Sequence, residues 1–228
     1  MKNKSTIITA YTIGVLLVIF SSFTLFAEEE GATNPLIAAP ADAQPAGSAV
    51  PEFKTVVIDT QEWMAENLNI GTFRNGEVIP EAKTIAEWEA AYTNEAAAWC
   101  YYDNDPENGK KYGKLYNWYA VNDPRGLAPL GWHVPTDKEW QTLITASGGM
   151  STAFSKLKAP EGFAAYPCGA RYYKDASFNH LGTIGFWWSA TKEDNWNAWY
   201  HALHFGYSQV GRDNGGMNTG HSVRCVKD

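Results

Sequence analysis

One stretch over residues 112–140, YGKLYNWYAVNDPRGLAPLGWHVPTDKEW, constrains the fold of this chain more than any other. Its first part is aromatic on more than one side of a helical turn, which predicts a short, buried helix. Pro124 and Gly126 break that helix and begin an extended crossing. Thr136 and Glu139 then match the capping box T-x-x-E, whose side chains accept hydrogen bonds from backbone N–H groups at a helix start. The stretch thus predicts two helices joined by a Pro/Gly-rich segment.

A second capping box and a series of short extended segments indicate the α+β class. Thr84 and Glu87 form this box, and apolar residues recur at helical spacing over 85–92. The helix of the first stretch is predicted over 137–146, ending at a Gly-Gly pair. Two main helices early and short strands late predict an irregular antiparallel sheet, with the closing strand in a central position. The predicted strands cover 55–59, 98–102, 163–166, 169–173, 185–189, 198–205, 207–210 and 222–227.

The first 52 residues have a different character from the rest of the chain. Residues 1–27 contain two lysines, then a mostly apolar run and a small residue, which is the pattern of a signal peptide. The run is also long enough for an N-terminal membrane anchor. Residues 28–52 are rich in Ala, Pro and Glu and predict a linker, and 53–228 has the size of one domain. We therefore expect an exported protein that is secreted, periplasmic or on the cell surface, with membrane contact only through an uncleaved N-terminal segment.

The charge and the motifs of the chain limit the classes of partner and of activity that we expect. With 18 basic and 25 acidic residues, the net charge of −7 argues against nucleic acid or anionic membranes as partners. The chain contains no G-x-S-x-G elbow, H-E-x-x-H motif or P-loop. We therefore expect a non-catalytic recognition or structural domain whose partner is a glycan or a surface protein. The alternative is an extracellular enzyme, for which the sequence identifies no nucleophile or acid–base pair.

Aromatic and polar residues near the end of the chain are the candidates for ligand binding. The loops of 178–220 have polar tips with aromatic residues nearby, and binding residues concentrate on such loops. The alternative is that some of these tryptophans fill the core. The predicted ligand-binding residues are Trp196, Trp199, Tyr207, Arg212 and Asn214.

An acidic turn is the candidate for a metal site. Asp103, Asp105 and Glu107 supply oxygen ligands of the kind that calcium prefers. The spacing does not fit an EF-hand loop, because Gly109 is one place late and Lys114 stands where the bidentate Glu belongs. The alternative is a structural turn between a strand and a helix. The sequence predicts no other cofactor.

Four motifs resemble the Fibrobacter succinogenes major paralogous domain family. They are TQEWMAENLN at 60–69, the stretch at 112–140, GFWWSAT at 185–191 and SVRCVKD at 222–228. The match covers essentially all of 53–228. The family is largely uncharacterised in function, so the resemblance implies a domain type rather than an activity. More distantly, the order of elements is similar to C-type-lectin-like folds, including the formylglycine-generating enzymes.

The resemblance also bears on the cysteines. Three cysteines in an exported protein suggest one disulfide and one spare thiol, and three pairings are open. Lectin-like folds bring the chain ends together, and WCYYDND and SVRCV occupy recurring family positions, so the resemblance favours a Cys100–Cys225 bridge. The formylglycine-generating enzymes bind copper through a close cysteine pair near their closing strands. Here only Cys225 lies in that region, so the resemblance does not imply their oxidase chemistry.

Overall fold

Three β-sheets, five short α-helices and one 3-10 helix (Tyr102–Asn104) lie within residues 52–228, the part of the chain that the computed structural model describes. The α+β class predicted from the sequence is confirmed. Within these residues no helix has the length and apolar character needed to cross a membrane. The helices are α1 (Ile85–Thr93), α2 (Pro106–Tyr112), α3 (Trp118–Val121), α4 (Asp137–Ala146) and α5 (Ala153–Leu157). The strands are β1 (Thr55–Ile58), β2 (Gln61–Met64), β3 (Trp99–Cys100), β4 (Leu115–Tyr116), β5 (Trp132–His133), β6 (Cys168–Arg171), β7 (Phe178–Leu181), β8 (Ile184–Lys192), β9 (Asn197–His204), β10 (Gln209–Gly216) and β11 (Val226–Lys227).

Both predicted capping boxes are formed, and each begins a helix. Thr84 Oγ1 accepts a hydrogen bond from Glu87 N at 3.1 Å, and the Glu87 carboxylate accepts one from Thr84 N at 2.8 Å. The same exchange joins Thr136 and Glu139 at the start of α4. Because the signal is local, the bounds predicted for α4 agree with the structure.

The sheets are mainly antiparallel. One sheet has the strand order β1-β2-β11-β5, a second has the order β10-β9-β8-β6-β7, and β3 pairs with β4. The exception is the contact between β6 and β8, which is parallel at Gly169 and Gly185. The second sheet contains the longest strands, β8, β9 and β10, and it carries most of the residues predicted to bind a ligand.

The closing segment of the chain connects all three sheets. His221 O accepts a hydrogen bond from Tyr116 N at 2.8 Å, Ser222 O accepts one from Trp188 N at 3.1 Å, and Cys225 O accepts one from Met64 N at 3.0 Å. The predicted central position is confirmed, since β11 lies between β2 and β5. Regular pairing is limited to β11, because residues before it change from one sheet to the next.

Hydrophobic clusters cover both faces of the five-stranded sheet. Trp187 and Trp188 are neighbours on β8 and point to opposite faces, as alternation requires, and both are fully buried. Trp187 joins the cluster of Trp140 on α4, and Trp188 joins the cluster of Tyr116 on β4. Their indole N–H groups donate to Asn67 Oδ1 at 2.8 Å and to Tyr116 O at 2.9 Å. Both rings are therefore core residues.

Several local predictions differ from the structure, and the strands predicted over 98–102 and 222–227 are limited to Trp99–Cys100 and Val226–Lys227. Residues 163–166 form no strand. The aromatic helix is shorter than the sequence suggests, because Tyr116 pairs with His221 as part of β4 and Asn117 caps α3, accepting from Ala120 N at 3.0 Å. A long-range strand contact thus overrides local helix formation at Tyr116.

Candidate functional site

The hairpin of β9 and β10 forms an edge of the five-stranded sheet. Eight residue pairs join the two strands, and alternation places their side chains on two faces. Trp199, Arg212 and Asn214 share one face with the start of α4, which we call the α4 face. Tyr200 and Asp213 lie on the opposite face, which we call the tyrosine face. The fold thus brings three of the predicted ligand residues to one face.

A buried carboxylate organises the α4 face. Asp137, the first residue of α4, accepts two hydrogen bonds from Arg212, Nε to Oδ1 and Nη2 to Oδ2, both at 2.8 Å. His201 Nε2 lies 2.9 Å from Oδ1, and Gln141 Nε2 donates to Oδ2 at 2.5 Å. The backbone of Asp137 is fixed as well, because its N–H donates to Thr191 Oγ1 at 3.0 Å. Residues more than 50 positions apart in sequence therefore meet at one helix start.

Burial sets the protonation state of this network. His201 is fully buried, its ring stacks on Trp140 with centroids 5.1 Å apart, and burial lowers its pKa to about 4. Burial alone would raise the pKa of Asp137, but the hydrogen bonds from Arg212 and His201 outweigh it, and the net shift is downward. At neutral pH the network is a carboxylate–guanidinium pair with a neutral imidazole. His201 Nδ1 has no hydrogen-bond partner within the described residues.

Trp199 and Arg212 form a stacked pair at the surface. The guanidinium carbon lies 3.4 Å from the centroid of the Trp199 ring, and one third of the Arg212 side chain is exposed. Asn214 pairs with Trp199 across the strands. The guanidinium is held between a carboxylate and an aromatic ring, which fixes its plane. The two side chains together form a partly exposed surface whose guanidinium group is held in place.

The structure separates the other two predicted ligand residues. Trp196 precedes β9 and is 64 % exposed, whereas Tyr207 lies in the turn after β9 and is 85 % exposed. The eight residues of β9 lie between them, at about 3.3 Å per residue. They are therefore at opposite ends of the hairpin, and one small ligand would not contact both. The backbone of Trp196 is fixed, because its N–H donates to Asp194 Oδ1 at 2.7 Å.

The tyrosine face contains residues that the sequence pattern does not indicate as ligand-binding. Tyr172 and Tyr173 follow β6, their ring centroids are 4.8 Å apart, and they are 39 % and 40 % exposed. Tyr200 is half-buried and lies opposite Asp213 in the hairpin. We call Tyr172, Tyr173 and Tyr200 the tyrosine ledge. A pair of tyrosines in a polar turn is a signal visible in the sequence, but the approach of β6 to β9 is not.

Two of the three acidic residues predicted to bind calcium, Asp105 and Glu107, make hydrogen bonds or ion pairs within the protein. Asp105 caps α2, because its Oδ1 accepts from Glu107 N at 2.9 Å. The Glu107 carboxylate pairs with Lys110 Nζ at 2.6 Å, and Asp103 is exposed. Among residues 52–228 no group of three or more His, Cys, Asp or Glu side chains is arranged to hold a metal ion. Calcium binding by Asp103, Asp105 and Glu107 stays a prediction.

All three cysteines are free, buried thiols, so the predicted Cys100–Cys225 disulfide is not formed in the structure. The physical reason is their placement in different parts of the core. Cys100 lies on β3, in the cluster of Trp88, whereas Cys225 lies beside β2 in another cluster. Burial raises the pKa of Cys100 to about 12 and also raises the pKa of Cys225. Cys168 accepts a hydrogen bond from Ser222 Oγ at 3.2 Å.

Three open surface clefts contain none of the residues predicted to bind a ligand. Their volumes are about 390, 310 and 340 Å³. The first lies along α4 beside Asp59, the second lies between Phe53 and α2, and the third lies beside α1. The clefts and the hairpin are thus separate features of the surface.

The family resemblance is confirmed by comparison with family models. The model of the Fibrobacter succinogenes major domain matches residues 56–227, and the chain therefore belongs to this family. The match begins at β1 and ends in β11, so it spans all the elements described above. Neither a curated protein nor a solved structure matches the chain.

Proposed function

We propose that the chain is an exported, non-catalytic recognition domain that binds a glycan or a surface protein. In this proposal residues 1–27 direct export, as a cleaved signal peptide or as an anchor, and 28–52 hold the domain on a linker. The finer fold assignment, a C-type-lectin-like domain, belongs to the same proposal. It is supported by the early capped helices and by the closing segment that runs through the centre of the sheets.

The observation that carries the proposal is the stacked pair of Trp199 and Arg212 on an edge hairpin. Asp137 holds the guanidinium at two points and Trp199 covers its face, so few rotamers are left to restrict on binding. Aromatic and arginine side chains fixed in this way dominate the energetics of recognition surfaces. Trp196, whose backbone is fixed while its ring is exposed, extends the same argument to the end of the hairpin.

The alternative is an extracellular enzyme, and the pair of His201 and Asp137 is the observation that favours it. A histidine oriented by a carboxylate is a common general base. Here His201 is fully buried and its pKa is about 4, so it lacks contact with solvent and binds protons weakly near neutral pH. A base of this kind is out of reach of a substrate unless the hairpin moves. These properties favour a structural role for the pair.

A polysaccharide pull-down of the full chain, with and without calcium, tests the recognition function. We expect retention by at least one surface polysaccharide and loss of retention in the double variant Trp196→Ala, Arg212→Lys. Arg212→Lys keeps a positive charge near Asp137 but removes the bidentate geometry. Tyr92→Ala, at a 40 % exposed tyrosine on α1, is the matched control and should be retained like the wild type. Release of reducing ends from the same polysaccharides would instead support the enzyme.

Calcium is tested in the same assay with Asp105→Asn. This variant keeps a side-chain acceptor for the helix cap but removes the charge of one predicted ligand. If calcium is required for retention and Asp105→Asn is not retained even when calcium is present, the metal site lies in the acidic turn. Retention that is unchanged by the double variant would contradict the placement of the recognition surface on the hairpin.

A further inference from the structure

The tyrosine face of the hairpin is built differently from the α4 face and has its own surface. Tyr200 adjoins Trp199 in sequence, so its ring lies on the other side of β9. It is opposite Asp213, and its ring packs over Gly215, where a Cβ atom would lie 3.2 Å from Cε1 of the ring. A larger residue at this position would require the ring to shift by a few tenths of an ångström, so the glycine lets the ring lie close to the strand. The hairpin therefore supports an aromatic ring lying along its surface.

The turn after β6 adds two more rings to this surface. Tyr173 packs beside Gly216, where a Cβ atom would lie 3.5 Å from Cγ of the ring. Asn218 Nδ2 donates to Tyr173 O at 2.9 Å, which fixes the backbone of the turn. Tyr172 contacts Tyr173 at 4.8 Å between ring centroids. By alternation the Cβ positions of Gly215 and Gly216 point to opposite faces, so the turn joins this surface through Tyr172, which lies near enough to Tyr200 to raise the pKa of Tyr200.

The chemistry of the ledge combines apolar faces with neutral hydrogen-bonding groups. Tyr172 and Tyr173 expose about two fifths of their area, and Asp213 is exposed at the edge. Burial, together with the negative charge of Asp213 and the neighbouring Tyr172, raises the pKa of Tyr200 to about 12, so its hydroxyl stays neutral and able to donate. Asp213 Oδ1 accepts from Asn214 N at 2.8 Å, which orients the carboxylate.

The negative charge of the protein limits which ligands the tyrosine ledge could bind. Asp213 and the chain's net charge of −7 oppose an acidic ligand. The apolar faces of pyranose rings match exposed aromatic rings, and a carboxylate is a strong acceptor for sugar hydroxyl groups. We propose that the tyrosine ledge, together with Asp213, is a binding site for an uncharged polysaccharide of pyranose units. This inference rests on the recognition function; it specifies the ligand class and adds the tyrosine face of the hairpin to the α4 face as a second contact surface.

Native electrophoresis of the full chain in gels that contain a soluble polysaccharide tests the inference. The neutral probes are hydroxyethylcellulose, xyloglucan and galactomannan, and the acidic probe is polygalacturonate. We expect at least one neutral polysaccharide to retard the wild type. Tyr172→Ala combined with Tyr173→Ala should weaken this binding about tenfold or more, since each ring contributes stacking energy. Asp213→Asn, which removes only the charge, should weaken it about tenfold.

Two comparisons keep the result interpretable. Tyr92→Ala removes a tyrosine of equal exposure from α1 and should leave the retardation unchanged. The thermal unfolding of each variant shows whether the fold is intact, and Asp213→Asn changes no packing. Retardation that is lost in Arg212→Lys but kept in both ledge variants would overturn the inference while leaving the recognition function in place. Retardation by polygalacturonate alone, or by none of the gels, would also overturn it.

Discussion

Asp137 and Glu139 lie two residues apart in the first turn of α4, and each contacts a histidine. Asp137 contacts His201 on β9 of the five-stranded sheet. Glu139 contacts His133 on β5 of the four-stranded sheet. The two imidazoles respond in opposite ways. The pKa of His201 is lowered to about 4, whereas the pKa of His133 is raised above its ordinary value. Two similar pairs in one helical turn thus shift the pKa of their histidines in opposite directions.

Solvent and the number of carboxylates explain the difference. The His201 side chain is 1 % exposed and shares its carboxylate with Arg212, so burial dominates and disfavours the charged ring. Burial also disfavours the charged form of His133, which is 38 % exposed. Carboxylates outweigh it there, because Nε2 lies 2.8 Å from Glu139 and Nδ1 lies 2.7 Å from Asp228. Because carboxylate oxygens accept hydrogen bonds, both contacts are best satisfied when both ring nitrogens of His133 carry a proton. A histidine next to a carboxylate therefore does not by itself indicate a charged pair or a catalytic base.

Removing the carboxylate of the buried pair should have the largest effect. Asp137→Asn leaves Arg212 without its bidentate partner and His201 with a weaker one, in a site that excludes most water. We expect a loss of about 3 kcal/mol in the free energy of unfolding, measured by urea denaturation. The control Glu139→Gln should cost about 1 kcal/mol, because its pair is half-exposed and its cap is only weakened. Equal losses in the two variants would contradict the contrast between the pairs.

The second-largest effect should be a fall in stability on acidification, caused by the buried His201. Because the folded pKa of His201 is about 4, the unfolded chain binds more protons than the folded chain between pH 6.5 and 4. Stability should therefore fall by about 2 kcal/mol across this window. His201→Phe, which keeps the stack on Trp140, should show a smaller fall. Part of the fall should persist in this variant, since buried His221 has a pKa of about 3 and acts with the same sign.

The exposed pair should give the smallest effect, with the opposite sign. The pKa of His133 is raised, so its contribution is complete below pH 6.5 and is lost as the pH rises through the higher folded value. Screening by solvent limits the loss to about 0.5 kcal/mol. A comparison of the wild type with His133→Gln at pH 6 and pH 9 measures it. NMR titration of the two rings tests the contrast directly, and a His201 ring that titrates near or above His133 would refute it.

Local signals explain how much of the fold was predictable. Each capping box specifies a helix start through residues three positions apart, and both helices begin where the sequence places them. Alternation and turn residues indicate β9, and alternation in the closing strand predicts its central position. The sequence predicts the ends of the strands less accurately. The strand predicted over 207–210 extends as β10 to Gly216, because pairing with β9 continues through residues of low strand propensity.

The candidate site was predictable only in part. Trp199, Arg212 and Asn214 were selected as polar and aromatic residues on late loops, and the structure places them together on one face. Their connection to Asp137 was not visible, because that residue read only as part of a helix start. The tyrosine ledge was missed for a similar reason, since β6 and β9 meet through β8 rather than through any sequence pattern.

The sequence by itself determined the α+β class, the family and the two capped helices, because these depend on short-range hydrogen bonding, periodicity and long motifs. Only the tertiary structure decided which side chains share a site and in which protonation state. Asp137 meets His201 and Arg212 across 64 and 75 positions of sequence, and the three cysteines are buried as separate thiols. Such contacts depend on strand order and on the exclusion of water, and both arise only when distant segments pack against one another.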